Sequence, residues 1–180
     1  MNLTVEPVKG KNRKKIKEIY TASFLKEDRM PFWLMLALAK TKSTDFLAFY
    51  DGDTLCGFVY LAAVKDLAFV MFFAVDETLR SKGYGEKILE QVQSIHPDRK
   101  IIISIERCDE PAEDREQRLR RKRFYLRNGY AETGYFLEMG NKAQEIFIKN
   151  GTFQPKEFFL FFLKYSNGTV RPKIWRNESL

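Results

Sequence analysis

The sequence contains little of the side-chain chemistry that metal and redox sites require. Its 180 residues include one histidine and two cysteines. Two cysteines do not make a disulfide framework, and so few soft ligands predict no metal site. Cys56 lies in the apolar run LCGFVYL and is expected in the core. The single histidine, His96, precedes a proline at a predicted helix end, where we expect a surface side chain without a catalytic role.

The sequence also lacks an apolar run of the length that spans a membrane, about 20 residues. The longest candidates, MPFWLMLALA and EFFLFFL, are shorter. The first residues, MNLTVEPVKGKNRKK, have no apolar segment of the kind found in a secretory signal. These features predict a cytoplasmic protein that has no membrane partner.

Acidic residues are too few to balance the basic ones, and the formal net charge is +7 with a pI near 9.3. Basic proteins often bind phosphates, in nucleic acids, anionic membranes or polyphosphate cofactors, although charge also serves solubility. The basic run RLRRKR, residues 118–123, lies in a predicted helix that also carries acids. Acidic and basic residues spaced four apart can form ion pairs on the surface of a helix, which favours a solvated helix. Nucleic-acid binding is therefore the less favoured interpretation.

The periodicity of the apolar residues predicts elements in the order β-α-α-β-β-β-α-β-α-β-β-α. The turn Asp51-Gly52-Asp53 predicts a hairpin, and LAFVMFFAV predicts a strand covered on both faces. This order predicts one α/β (α+β) domain over residues 1–180, whose mixed sheet is covered by helices. Predicted helices include residues 11–25, 31–39, 110–128 and 155–165. Residues 166–180 are expected to form a polar C-terminal tail.

A glycine turn follows the predicted strand LAFVMFFAV and precedes a helix. Residues 80–85 read RSKGYG, which gives the pattern R-x-x-G-x-G. A Walker A loop is absent, and a dinucleotide fingerprint is excluded because its third glycine position holds Ile88. Gly83 and Gly85 allow close backbone approach, and the N–H groups of residues 82–86 are free first-turn donors. The pattern fits a pyrophosphate, although by itself it is equally typical of a tight turn.

The two segments AVDETLRSKGYG and FYLRNGY together resemble the GCN5-related N-acetyltransferase (GNAT) superfamily. The resemblance covers most of the chain, from the first strand to the strand after Tyr130. It implies a mixed, mostly antiparallel central sheet of about seven strands, flanked by helices. The runs TASFLKEDRMPFWL and REQRLRRKRFYLRNGY resemble a bacterial subgroup of the family, and the acceptor does not follow from the resemblance.

The resemblance implies an acetyl-CoA-dependent N-acetyltransferase. Its acceptor would be a small-molecule or peptide amine, which attacks directly in a ternary complex. The glycine turn would bind the pyrophosphate of acetyl-CoA, and the strand end MFFAV would pair with the pantetheine amides and polarise the thioester carbonyl. The cofactor-binding residues implied in this way are Phe73, Ala74, Val75, Arg80, Ser81, Lys82, Gly83, Tyr84 and Gly85.

Two further residues are catalytic candidates. Tyr125 matches the family tyrosine that faces the departing sulfur, and its alternative role is a core aromatic beside Phe124. Glu106 ends the predicted strand IIISIE and is either a base toward the amine or a capping or solvated carboxylate. Many family members carry Asn and Ala where this chain has Arg118 and Arg121, which changes the acceptor side of this helix.

Other interpretations stay open at this point. Glu27 and Asp28 are weaker candidates for binding a cationic acceptor. A non-catalytic CoA-binding or regulatory module would keep the glycine turn without turnover. A protein–protein scaffold would expose the predicted helix EFFLFFLKY, which we interpret as part core and part homodimer interface.

Overall fold

The computed structural model describes residues 2–139 and 142–176. The chain forms two compact units, Met1–Ala63 with Val70–Pro97 and Val64–Phe69 with Asp98–Leu180. The described part has a mixed α/β fold with eight strands and five α-helices. None of its helices is long and apolar enough to cross a bilayer. The assignment of residues 1–180 to a single domain stays a prediction.

The first unit contains three helices, the strands β1 and β2, nearly all of β3 and the C-terminal part of β4. Strands β1 (Thr4–Pro7), β2 (Thr44–Asp51) and β3 (Thr54–Val64) pair antiparallel in that order. Strand β4 (Leu67–Val75) ends in this unit. The predicted hairpin forms between β2 and β3, where Gly52 has a φ of +57°. The helices are α1 (Arg13–Ser23), α2 (Phe32–Leu38) and α3 (Tyr84–Ile95).

Aromatic rings make up much of the core of the first unit. Helix α1 buries Ile16, Ile19 and Tyr20, which share one face because they are three or four residues apart. The Tyr20 ring lies 5.1 Å from the Phe72 ring and 6.0 Å from the Phe58 ring, both in edge-on geometry. Such pairs stabilise a core beyond their buried area. The high aromatic content of the sequence is therefore used here for packing.

The prediction that His96 is a surface residue is wrong. Its side chain is only 5% exposed, and its Nε2 lies 3.0 Å from Asp45 Oδ2. The reason is helix periodicity, because His96 follows Ile88 and Val92 at intervals of four residues and continues their buried face. Cys56 is fully buried, as predicted.

The second unit contains the strands β5 (Lys100–Glu106), β6 (Ala131–Met139), β7 (Lys142–Lys149) and β8 (Lys173–Arg176). They are ordered β5-β7-β6-β8, and each neighbouring pair is antiparallel. The helices are α4 (Arg115–Arg127) and α5 (Pro155–Tyr165). Helix α5 has the predicted bounds, and it buries Phe158, Phe161 and Phe162 while Leu160 is 61% exposed.

Two predictions for the second unit need correction. Helix α4 begins at Arg115 rather than Glu110. The ring of Pro111 disfavours helical geometry at the residue before it, which is Glu110. Within the predicted tail, residues 173–176 form β8, which pairs with residues 135–138 of β6. This strand raises the number of strands in the described part to eight, against about seven expected. The remainder of the tail from 177 to 180 lies outside the described residues.

Candidate functional site

The C-terminal end of β4 lies against a glycine of the neighbouring strand. A Cβ added at Gly57 would lie 2.3 Å from the Ala74 carbonyl oxygen and 3.1 Å from both Val75 Cα and Ile88 Cδ1. These distances leave no room for any side chain, so Gly57 allows β4 and α3 to pack closely on β3. Our sequence analysis missed this residue. The available signal was a glycine inside a strand, which often marks close backbone approach.

Asp76 anchors the segment that follows β4. Its N–H donates to the Cys56 carbonyl at 2.8 Å, which keeps the backbone attached to β3. Its Oδ1 accepts hydrogen bonds from the Thr78 N–H at 3.0 Å and the Thr78 hydroxyl at 2.7 Å. Its Oδ2 lies 2.9 Å from Lys15 Nζ on α1. The carboxylate thus caps the short 3-10 helix Glu77–Leu79 and ties it to α1.

The glycine turn itself presents a row of free backbone donors. Ser81 and Gly83 have φ values of +62° and +85°, in the left-handed region. The N–H of Lys87 donates to the Gly83 carbonyl, and the N–H groups of residues 81–86 have no acceptor among the described residues. Because these amides lie at the start of α3, they also carry the positive end of its dipole.

Side chains around the turn fix its position and add positive charge. The Tyr84 hydroxyl donates to Asp51 Oδ2 at 2.9 Å, which attaches the first residue of α3 to the β2–β3 hairpin. This hydrogen bond raises the pKa of Tyr84 above its usual value. Arg80 Nη2 lies 3.4 Å from the Ser23 hydroxyl at the end of α1. Arg80 and Lys82 are exposed, so their charges are available to an anion.

The first unit therefore contains, in one segment, all nine residues predicted to bind a cofactor. Residues 73–75 end β4, and residues 80–85 form the turn. Free amides, two exposed cations and a helix N-terminus are typical of an anion-binding site. Glu27 lies in the exposed 3-10 helix Lys26–Asp28 of the same unit.

In the second unit, Tyr125 is the buried residue of α4. Its side chain is 8% exposed, and its ring packs edge-on against Phe124 at 5.2 Å and Tyr130 at 5.6 Å. Burial raises the pKa of Tyr125 to about 12, although the nearby Arg121 charge acts in the opposite direction. The hydroxyl makes no hydrogen bond with any described residue. Tyr125 is thus both a packed aromatic residue and a neutral phenol with a free donor.

The end of α4 holds Tyr125 in place. The N–H of Tyr130 donates to the Tyr125 carbonyl at 3.2 Å, and Gly129 has a φ of +81° that ends the helix. Lys149 Nζ donates to the Asn128 carbonyl at 2.9 Å, where a cation complements the helix dipole. The motif FYLRNGY therefore forms a helix terminus that fixes the tyrosine.

Glu106 does not extend freely into solvent. Its Oε2 forms a short ion pair with Arg121 Nη1 of α4. Arg118 Nη1 donates to the Arg107 carbonyl at 3.0 Å, one residue after β5. The two arginines that replace Asn and Ala of many family members therefore connect α4 to the end of β5. The Glu106 carboxylate is therefore held by a cation of α4.

Most cations of the run RLRRKR are paired with acids. Arg118 pairs with Asp114, Lys122 with Glu132 and Glu145, and Arg123 with Glu116. This pairing agrees with a solvated helix stabilised by ion pairs. Lys122 also borders a cavity of about 340 Å³ at the β6 bulge between Glu132 and Phe136. The cavity offers no unmatched negative charge, because Glu132 and Glu145 pair with Lys122, and the third carboxylate of the lining, Asp109, pairs with Arg107.

Comparison with known proteins assigns this fold, with its glycine turn, to the acetyltransferase class. Residues 42–132 match the family model described as an acetyltransferase (GNAT) domain. This match covers just over half of the chain, so the chain belongs to the GNAT acetyltransferase family. The predictions of the family and of its mixed, mostly antiparallel fold are confirmed. No curated protein matches the chain.

Solved structures of low sequence identity share the fold. A GNAT-family protein from Bacteroides thetaiotaomicron is 21% identical, with a TM-score of 0.76 over 93% of this chain and 99% of its own. The ribosomal-protein-S18-alanine N-acetyltransferase of Escherichia coli is 11% identical, with a TM-score of 0.62 over 86% and 97%. The PaiA N-acetyltransferase of Thermoplasma acidophilum, solved with coenzyme A, is 14% identical, with a TM-score of 0.60 over 84% and 100%.

Proposed function

We propose that the protein is an acetyl-CoA-dependent N-acetyltransferase that acts on a primary amine of a small molecule or a peptide. The observation that carries this proposal is the glycine turn, whose amides have no acceptor among the residues that the structure describes. Membership of the GNAT family supports acetyl transfer. The coenzyme A complex of the PaiA N-acetyltransferase, which shares the fold, supports the cosubstrate.

The first unit would bind the cosubstrate through its backbone. The diphosphate accepts hydrogen bonds from the amides of residues 81–86, and Arg80 and Lys82 supply charge. The pantetheine pairs with the end of β4 at Phe73, Ala74 and Val75. Close packing at Gly57 supports this role because it holds the strand end in one position. Backbone N–H groups there would stabilise the carbonyl oxygen as it gains negative charge.

The reaction needs few protein groups because the thioester is already activated. The amine nitrogen attacks the carbonyl carbon in a ternary complex, the C–S bond breaks, and the thiolate leaves while the amine loses a proton. Tyr125 is the proposed donor to the thiolate. A thiol has a pKa of about 8.5, so a phenol whose pKa is about 12 donates a hydrogen bond without fully transferring its proton. Stabilisation of the thiolate, rather than acid catalysis to completion, is therefore its expected role.

Glu106 is the proposed proton acceptor from the amine, directly or through water. It is also held in an ion pair with Arg121 of α4. The same pair favours a second candidate function, a CoA-binding module without turnover, in which Glu106 only anchors α4. A turnover assay distinguishes the two functions, because only the enzyme would release coenzyme A from acetyl-CoA.

The test is release of coenzyme A from acetyl-CoA in the presence of a panel of primary amines and peptide N-termini. We expect at least one amine to be acetylated, and Tyr125→Phe to lower kcat about 100-fold, the usual size for loss of one hydrogen-bond donor to a developing anion. Affinity for coenzyme A should not change, because the phenol contacts only the sulfur.

Tyr130→Phe is the matched control, since Tyr130 is another buried tyrosine of the same unit and is only 3% exposed. It should keep full turnover. Equal turnover of Tyr125→Phe and the unaltered protein would contradict the role of the phenol. Coenzyme A binding with no turnover on any amine would favour the non-catalytic module.

A further inference from the structure

Asp76 is the only acid that both follows β4 directly and lies buried beside the glycine turn in the described part of the first unit. Its side chain is 8% exposed. An acid so close to a diphosphate site would repel the ligand if it faced it. All its recorded contacts instead point back into the protein, to Thr78 and Lys15. Its role therefore has to be sought in the shape of the turn.

The turn needs support because its backbone is strained. Ser81 is a non-glycine residue with a φ of +62°, which L-residues rarely adopt. Such conformations persist only where surrounding contacts hold them. Between β4 and Ser81, the contacts that hold the chain begin at Asp76, where two backbone hydrogen bonds and the carboxylate cap act together.

We propose that Asp76 is a positioning residue, whose carboxylate holds residues 77–85 in the conformation that binds the diphosphate of acetyl-CoA. This inference rests on the proposed function. One carboxylate oxygen fixes the start of the turn through Thr78, and the other ties it to α1 through Lys15. Preorganisation of this kind raises affinity because less conformational freedom is lost on binding.

The charges around Asp76 fit this role. The hydrogen bonds from Thr78 lower the pKa of Asp76, and Lys15 acts in the same direction, so the carboxylate is ionised at neutral pH. Hydrogen bonding to Asp76 in turn raises the pKa of Lys15, which stays protonated. The pair is neutral overall, and the diphosphate therefore meets the cations of the turn without a net opposing charge.

The experiment compares Asp76→Ala and Asp76→Asn with Glu77→Gln. Glu77 is the next residue, is exposed and carries the same charge, but it caps nothing. We expect Asp76→Ala to raise the Kd for coenzyme A about tenfold, a size typical for loss of one helix N-cap. Asp76→Asn should have a smaller effect in the same direction, and Glu77→Gln should leave Kd unchanged or lower it.

Kinetics and hydrogen exchange add readouts that a general loss of stability would not produce. With the amine held at saturation, Asp76→Ala should raise the KM for acetyl-CoA about tenfold and change kcat less than twofold. In the free protein, the hydrogen-bonded amides of residues 78–80 should exchange faster in Asp76→Ala, while those of α5 should be unaffected. If Asp76→Ala proves unstable, Thr78→Val removes only the hydroxyl donor and should raise Kd and local exchange by a smaller amount.

The outcomes separate the inference from the function on which it rests. If the unaltered protein does not bind coenzyme A, the proposed function is overturned and the inference with it. If the unaltered protein binds and Asp76→Ala binds equally well or more tightly, only the inference is overturned. Unchanged exchange of the amides of residues 78–80 would also overturn it.

Discussion

At the scale of single residues, the shape of the candidate site depends on a few positions where adding or removing one side chain would move the backbone. Gly57 is one example, because its missing side chain determines how closely β4 approaches β3. A Cβ would lie 2.3 Å from a backbone oxygen, which no rotamer change relieves. Overpacking of this kind usually costs about 1–3 kcal/mol of stability.

Gly57→Ala should therefore lower the free energy of unfolding by about 2 kcal/mol and weaken coenzyme A binding, because the end of β4 has to shift. Urea unfolding and calorimetric titration measure the two effects. Gly52→Ala is the control, since it strains a turn with a φ of +57° but has open space around its Cβ position. Coenzyme A affinity that is equal in Gly57→Ala and the unaltered protein would show that β4 does not bind the pantetheine.

Glu106 and Arg121 form the second residue-scale test. Both side chains are about one third exposed, so their ion pair should contribute less than about 1 kcal/mol to stability. If Glu106 is the proton acceptor, Glu106→Gln lowers kcat about 100-fold, whereas Arg121→Met frees the carboxylate and keeps or raises kcat. Steady-state kinetics of the two variants test this role. Similar small losses of kcat in both variants would indicate that Glu106 only forms the ion pair that attaches α4.

At the scale of elements, the sequence predicted best where local signals are strong. Helix α5 has the predicted bounds because Pro155 begins it and a dense run of aromatic residues follows. The β2–β3 hairpin follows from its glycine turn. Strand β8 was missed because its four residues carry no clear alternation, and its structure depends on pairing with β6. The start of α4 was predicted too early because the charged residues around Pro111 have the composition of a charged helix.

The candidate site was predictable only in part for the same reason. The pattern R-x-x-G-x-G is local, so the turn and its free amides were found from the sequence. The roles of Gly57 and Asp76 depend on distances to β3 and α1, which no spacing in the sequence gives. His96 was wrongly predicted to be a surface residue because the prediction followed the proline after it and not its position on the buried face of α3. The catalytic roles of Tyr125 and Glu106 stay predictions.

At the scale of the whole molecule, the helices differ in how many of their cations form ion pairs with acids. Helix α4 uses most of its cations in ion pairs, whereas Arg13, Lys14 and Lys17 of α1 form none with the described residues. With a formal charge of +7, the protein should attract a polyanionic cosubstrate over several ångströms, and salt should weaken this attraction. The predicted homodimer stays open, with the exposed Leu160 of α5 as its best support.

A calorimetric titration of the unaltered protein with coenzyme A at two salt concentrations tests whether the glycine turn binds the diphosphate. We expect saturable binding of one molecule per chain, with an affinity that falls as salt rises because the diphosphate is held by amides and cations. A titration without any binding signal at low salt would contradict the account, since the free amides of the glycine turn would then have no assigned ligand.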